Sequence, residues 1–333
     1  MDEELYRRRR VQRARERHQR AVRRRLFAGG ALLALIVIVV VALTAGGGSS
    51  SPGGSSSHPR RTAATSRARR SAGRRARSHG GSTAARLARG DGRPGDATVP
   101  VLMYHVIASP PAGAPFPGLY VPASEFAAQM AELRAAGWHP VTLDQLRANW
   151  TTGARLPPGK PIVLTFDNGY HSQYAVALPV LRRLHWVADE NIQLTGLPPS
   201  QGGLSEAEVR AMVRAGWELD TQGISHADLI TLDAAELHAQ IASSRATLRR
   251  RYHVPVNWFC YPSGHYDATV IAAVRAAGYV GSTTVVPGWA TRHEDPFRLP
   301  RLRVLGGTSP QGLLQQIAST RSAAAPPASY NGT

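Results

Sequence analysis

An α/β fold built from βα units with a mainly parallel sheet is predicted for this chain, confined to the residues after about Thr98. Three observations carry the prediction. From Thr98 onward, apolar runs of strand length alternate with helical patterns of ten to twenty residues, the order that makes parallel βα units. One run, Pro161-Ile-Val-Leu164, reads as a buried strand and leads into Thr165-Phe-Asp-Asn-Gly-Tyr170. That places adjacent polar side chains at a strand's carboxyl end, where such folds build their sites. Residues 46–97, by contrast, are Gly, Ser, Ala and Arg with hardly a large apolar side chain, so they have nothing with which to form a core.

The N-terminal third divides by composition. Residues 1–25 carry eleven Arg against four acids, and residues 26–45 form a twenty-residue run without a charge. As a helix that run spans ~30 Å of hydrocarbon. The Arg excess precedes it, while the first Arg after it is Arg60, which predicts a cytoplasmic N-terminus and an extracytoplasmic domain. An uncleaved signal anchor is the favoured reading and a cleaved signal peptide its rival. Residues 46–97 are expected to be a disordered linker spanning roughly 40 Å. Its clusters Arg67-Ala-Arg-Arg70 and Arg74-Arg-Ala-Arg77 read as a solvated spacer, or as contacts to anionic headgroups or wall polymers. The folded domain is assigned to residues 98–310, and a C-terminal helix and tail to 311–333.

Within the domain, Val99-Pro-Val-Leu-Met-Tyr-His105 reads as the first buried strand. Ser124 is expected to cap a helix through Ala136, with Phe126, Met130 and Leu133 on one face. A strand over 139–142, a helix from Asp144, the motif strand and a helix over 173–184 follow. Ser205-Glu-Ala-Glu208 is a capping box opening a helix to Ala215. Next come a strand over 218–221, a long helix capped by Asp233, and a strand over 257–261. A helix over 268–277 and strands over 279–285 and 302–305 complete the series. Asp144, Asp233 and Glu208 read as helix caps or solvated faces. Trp217, Trp258 and Trp289 read as core side chains first and sugar-stacking platforms second. Periodicity leaves open whether the sheet is open or closed into a barrel.

The formal charge of +18 arises outside the domain: +7 comes from residues 1–25 and +9 from the linker, leaving +2 for everything else. A nucleic-acid partner is therefore excluded, since the domain offers no basic face. Lys160 is the single lysine beside 39 Arg, a bias that reads as coding composition more than chemistry. Cys260 is the only cysteine, so neither an intrachain disulfide nor a cysteine zinc cluster exists.

Residues 165–170 closely resemble the T-F-D-D-G motif of the polysaccharide deacetylases (NodB-homology, carbohydrate esterase family 4), with Asn168 where that family has a second aspartate. Three further segments resemble the family in its order. Trp217-Glu-Leu-Asp-Thr-Gln-Gly-Ile-Ser-His226 is similar to the H-x-x-x-H segment, with His226 at the second histidine and Gln222 at the first. Phe259-Cys-Tyr-Pro-Ser-Gly264 resembles the R-x-P-x-G region, with Cys260 at the Arg position and no cation there to orient Asp167. Leu299-Pro-Arg-Leu-Arg-Val304 lies near where the family often supplies a histidine acid, and it contains none. The resemblance covers about residues 98–306 and implies a distorted, incomplete (β/α) barrel.

It also implies a chemistry. A divalent, zinc-like metal held by one Asp and two His lowers the pKa of a water, a free carboxylate takes the proton, and backbone N–H groups hold the oxyanion. Carried over, Asp167 is the general base, the Ser263 amide an oxyanion donor, and Asn168, Gln222 and His226 the metal positions. Tyr261, Pro262, His265, Tyr266 and His105 are the expected substrate contacts. The implied activity is hydrolysis of acetamide groups on N-acetylated envelope polysaccharide, with release of acetate, at the bacterial cell membrane. Asn and Gln offer only neutral oxygens, where such metals favour imidazole and anionic oxygen. Two readings follow: a site rebuilt with Asp220 and His171 beside His226, or a catalytically inactive glycan-binding relative.

Overall fold

The computed structural model describes residues 92–195, 197 and 202–332. The expected basic segment, anchor and nearly all of the linker lie outside the described residues. Among the described residues no helix is long and apolar enough to cross a membrane.

Strand β1 (Val99–Tyr104) is buried along its whole length, as a continuous apolar run between two covering layers should be. Helix α1 (Ala123–Ala135) starts at Pro122 with no side-chain cap. Ser124, expected at the cap, therefore lies inside the first turn, because Pro122 with its fixed φ and missing N–H already ends the preceding chain. Strand β2 (Trp138–Pro140) leads to α2 (Leu143–Thr152), whose capping box is Thr142 with Gln145. Strand β3 (Lys160–Asn168) extends beyond Leu164, so Asp167 and Asn168 close a paired strand instead of standing in a turn. A π-helical turn, Gln173–Ala177, opens α3 (Leu178–Leu184).

Strand β4 (Asp189–Ile192) has no counterpart in the sequence reading, since Asp-Glu-Asn-Ile has neither apolar continuity nor alternation. It is nevertheless buried throughout and held in register on both sides, Asp167 opposite Asn191 and Asn191 opposite Asp220. The predicted Ser205–Glu208 capping box opens α4 (Glu206–Arg214), and β5 (Glu218–Thr221) follows. Asp233 caps α5 (Ala234–His238), which continues through a π turn into α6 (Ser244–Tyr252). The remaining elements are β6 (Trp258–Cys260), α7 (Ala268–Ala276), β7 (Gly281–Thr283), β8 (Trp289–Ala290), β9 (Leu302–Arg303) and α8 (Pro310–Ser319).

The strands pair in the order β7-β6-β5-β4-β3-β1, every neighbour parallel. Strand β8 adds antiparallel to the start of β1, and β9 adds parallel beside it. The chain just before β9 also pairs with β7: Leu299 N–H donates to Ser282 O at 3.0 Å, and Thr284 N–H donates to Leu299 O at 2.8 Å. The parallel sheet is thus curled into a half-barrel whose gap is spanned by residues 299–303. The strands' outer faces pack on helices. Phe166 stacks on Trp217 at 4.9 Å and on Tyr104 at 5.6 Å, in a core cluster that also takes in Leu313 and Ile317 of α8. Trp217, Trp258 and Trp289 are all buried core side chains. The inner face is apolar at its base, where Val101, Val163, Trp258 and Leu299 pack together, and polar above, where the functional residues lie.

Candidate functional site

Three neighbouring strands end together. Asn168 closes β3, Gln193 follows β4 and Gln222 follows β5, joined by Gln193 N–H to Asn168 O (3.4 Å) and Gln222 N–H to Ile192 O (2.8 Å). Among the described residues five non-glycine positions have φ between 53° and 80°: Asn168, His185, His226, His253 and Ser263. His185 and His253 are helix C-caps, an ordinary place for left-handed backbone. The other three are all residues of the family-like segments, which is where backbone strain tends to be retained for a purpose. Ser263 is followed by Gly264, where φ is +76° and a Cβ would come within 2.3 Å of Val285, so that turn is pressed tightly on the β7–β8 connection.

At the centre lies Asp167, 1 % exposed, gripped by Arg301, itself 0 % exposed. The guanidinium forks onto both carboxylate oxygens, Nη1 to Oδ1 at 2.7 Å and Nη2 to Oδ2 at 2.9 Å. Arg301 also donates to Thr165 Oγ1, to Thr284 O and to Cys260 Sγ. Asn191 Nδ2 donates to Asp167 Oδ1 at 2.9 Å, and His105 Nε2 stands 3.9 Å from Oδ2. Burial by itself raises the Asp167 pKa. The charges of Arg301 and His105 and the bonds from Arg301 and Asn191 outweigh it, holding the carboxyl at about 2. The expectation that Asp167 lacks a cation is therefore corrected. Cys260 does stand at the arginine position, but Arg301 reaches the carboxylate from a different strand, and Cys260 fills the space beside the fork with a thiol whose pKa burial pushes up. The signal was available: Leu299, Arg301 and Arg303 share one parity of a strand and Leu302 and Val304 the other, which turns the arginines inward.

His105 senses the charges of Asp167, Arg303, Arg301 and His226, so the barrel's carboxyl end brings together residues from four separate segments. Burial lowers the His105 pKa to about 4 against the pull of Asp167, keeping it neutral at ordinary pH. Its Nδ1 is buried without a partner.

The metal positions offer neutral amide donors at two of three places. Asn168 spends its amide Nδ2 on Gln193 Oε1 at 2.7 Å, leaving a neutral carbonyl oxygen. Gln222 offers an Oε1 that is buried and unpartnered, also neutral. His226 is the single imidazole of the three, and the carboxylate of Asp167 is taken up by Arg301. Two amide oxygens and one imidazole do not fit a catalytic zinc-type ion, which takes imidazole, carboxylate or thiolate at all three protein positions.

The two proposed substitutes lie elsewhere. His171 is exposed and pairs through Nδ1 with Glu208 at 2.9 Å. Asp220 is wholly buried, accepting the N–H groups of Trp258 (2.8 Å) and Asn257 (3.2 Å) through Oδ1. Of the expected substrate contacts, Tyr261 and Tyr266 are 1 % exposed, with hydroxyls spent on Phe297 O and Pro327 O. Pro262 is buried as well, so these three support the Ser263 turn from below. His265 is held by Asp228 through Nδ1 at 3.0 Å. A pocket alongside Asn168 is lined by Gly169, Ile192, Gln193, Leu204 and Tyr252.

Asp144 is a second correction. Instead of facing solvent at its helix start, it accepts from Asn257 Nδ2 (2.7 Å) and Trp258 Nε1 (3.1 Å), because the α2 N-terminus is packed under the sheet. There it borders a cluster of Asp189, Glu218 and Asp220. Burial first, and then neighbouring carboxylates, push these three carboxyls well above their usual range.

Comparison with known proteins agrees with this architecture. Residues 154–282 match the polysaccharide deacetylase family model. Over 214 residues the chain is 29 % identical to the polysaccharide deacetylase-type protein YxkH of Bacillus subtilis, covering 64 % of this chain and 74 % of that one. A 60-residue stretch, 18 % of this chain and 9 % of the other, is 43 % identical to the poly-beta-1,6-N-acetyl-D-glucosamine N-deacetylase of Escherichia coli. Among solved structures, the deacetylase PplD of Streptococcus pyogenes superimposes with a TM-score of 0.60 at 26 % identity, over 67 % of this chain and 99 % of that one. The polysaccharide deacetylase-type protein BA0330 of Bacillus anthracis gives 0.59 at 27 % identity, over 67 % and 69 %. Half-barrel, motif order and sequence similarity converge on a polysaccharide deacetylase-type domain, matched by the family model over residues 154–282.

Proposed function

We propose that this protein binds N-acetylated polysaccharide of the cell envelope and does not hydrolyse it by the metal-assisted route. One observation carries the reading: Asp167, at the position of the family's general base, is buried with both oxygens held in the Arg301 fork. A carboxylate whose pKa lies near 2 is a weak base for a water at neutral pH, because catalytic bases work best with a pKa near the working pH. The donor set at Asn168, Gln222 and His226 supports the same reading, since it supplies no anionic ligand to a metal. The substrate class rests on the Escherichia coli relative, whose name places it on poly-N-acetylglucosamine. Location rests on the N-terminal sequence alone: an apolar anchor at 26–45 with Arg on its cytoplasmic side and a linker carrying the domain outward.

A second reading, slow deacetylation, is favoured by His105 standing 3.9 Å from Asp167 Oδ2 with His226 close enough to feel its charge. One experiment separates the two. The purified chain is assayed for binding to N-acetylglucosamine oligomers and for acetate release, with bound metal measured in parallel. The Asn168→Asp/Gln222→His double variant serves as the comparison. The proposal expects saturable binding without acetate from the wild type. Metal-dependent acetate release by the wild type, comparable to that of the double variant, would refute it.

A further inference from the structure

The structure assigns a second site to this fold: we propose that Asp189, Glu218 and Asp220 hold a hard divalent cation of the calcium or magnesium type at the amino end of the half-barrel. The site is separate from the Asn168 region. Asp189 and Glu218 are the first residues of β4 and β5, whereas Asn168 and Gln222 stand at or beyond the carboxyl ends of their strands.

The geometry of each carboxylate is what points to a cation. Each has one oxygen fixed by backbone N–H. Leu143 donates to Asp189 Oδ1 at 2.9 Å, Asp144 to Glu218 Oε2 at 3.0 Å, and Trp258 to Asp220 Oδ1 at 2.8 Å. The other oxygen of each, Asp189 Oδ2, Glu218 Oε1 and Asp220 Oδ2, is buried and accepts from no amide, hydroxyl or guanidinium donor; Glu218 stands within hydrogen-bond reach of both aspartates. Asp189 and Asp220 are both 0 % exposed, so water does not reach them from outside. Buried acceptors left unmade are costly and rare, and three side by side share one explanation.

Each residue brings an oxygen within 4.8 Å of the others. Oxygens bound to one ion at about 2.4 Å are never farther apart than about 4.8 Å. One oxygen pinned by an outer partner while the other is presented inward is the way metal-ligating carboxylates are held. An all-oxygen, acidic donor set selects hard cations over zinc or copper. Asp144 adds negative charge next to the cluster while its own oxygens are taken by Asn257 and Trp258, which strengthens the attraction without supplying a competing counter-charge. The inference does not depend on whether the domain hydrolyses glycan.

The test uses the full-length chain, stripped with EDTA and titrated with Ca²⁺ and Mg²⁺ by equilibrium dialysis, and with Tb³⁺ by luminescence. Trp258, whose indole lies on Asp144, serves as the sensitiser. The expected result is one equivalent of Ca²⁺ or Mg²⁺ per chain and Trp-excited Tb³⁺ emission displaced by excess Ca²⁺. Both are retained in His226→Ala and weakened at least tenfold in Asp189→Asn/Asp220→Asn. Absence of saturable binding and of Tb³⁺ emission in the wild type would overturn the proposal, as would unchanged binding by the double variant or its loss in His226→Ala. The wild-type and His226→Ala measurements decide the matter even if the double variant does not fold.

Discussion

Replacing Arg301 by Met removes the guanidinium that makes both fork bonds to Asp167 and leaves that carboxylate without its counter-ion. The two fork bonds, 2.7 and 2.9 Å, join side chains that are each about 1 % exposed, so solvent cannot take over the carboxylate. Breaking one side of such a buried pair costs about 3–5 kcal/mol, most of it the penalty of the stranded charge. That is a large share of the ~5–15 kcal/mol that holds a domain together, yet leaves a folded protein to measure. The sign of the pH dependence follows. In the wild type the depressed Asp167 pKa contributes stability present above 3.8 and lost as pH falls toward 2. Without Arg301, burial is opposed only by the charge of His105 and the Asn191 bond, the pKa rises, and acid becomes a remedy. Urea unfolding at pH 7 and pH 5 should show the Arg301→Met deficit shrinking at the lower pH. Adding Asp167→Asn should recover about half or more of it. A loss below about 1 kcal/mol at pH 7, or no recovery in the double variant, would refute the argument that this pair organises the site.

Other outcomes follow from the same structure. The His105 pKa, lowered from 6.5 to about 4, means the unfolded chain binds a proton that the folded one refuses between those values. Stability should therefore fall by about 3 kcal/mol as pH drops through that window, and His105→Gln should flatten the dependence in urea titrations. Gly264→Ala places a Cβ 2.3 Å from Val285 at a φ of +76°, costing about 2–5 kcal/mol in strain and overpacking. Calorimetry would show it as a lowered Tm. Phe166→Ala empties the stack between Tyr104 and Trp217 and should cost about 3–5 kcal/mol. Because Phe166 points away from the barrel interior, glycan binding by the folded fraction should be unchanged.

The strands that alternate or run apolar were legible without coordinates, as were the Ser205 and Asp233 helix starts, because local chemistry decides them. A capping box is satisfied within four residues, and Val99-Pro-Val-Leu-Met-Tyr can bury itself only as a covered strand. Strand β4 was not legible. Asp189, Glu190 and Asn191 carry no strand pattern, and only registration between β3 and β5 places them in the sheet. The Ser124 cap failed for a smaller reason, an adjacent proline that ends the chain's approach first.

For the site, the primary structure alone held the family-like segments, their order and the identity of Asp167, Asn168, Gln222 and His226. It also placed the formal charge outside the domain, which removed nucleic acid from consideration. Who stands next to whom is settled by the fold. Arg301 lies 134 positions from Asp167 and becomes its counter-ion because residues 299–303 bridge the open side of the half-barrel. Asp220 leaves the Gln222 neighbourhood because alternate residues of a strand project at successive heights along the barrel, which puts it with Asp189 and Glu218. Charge pairing acts over a few ångströms in space and is blind to separation along the chain, so the electrostatics of this barrel come into being only when the sheet curls.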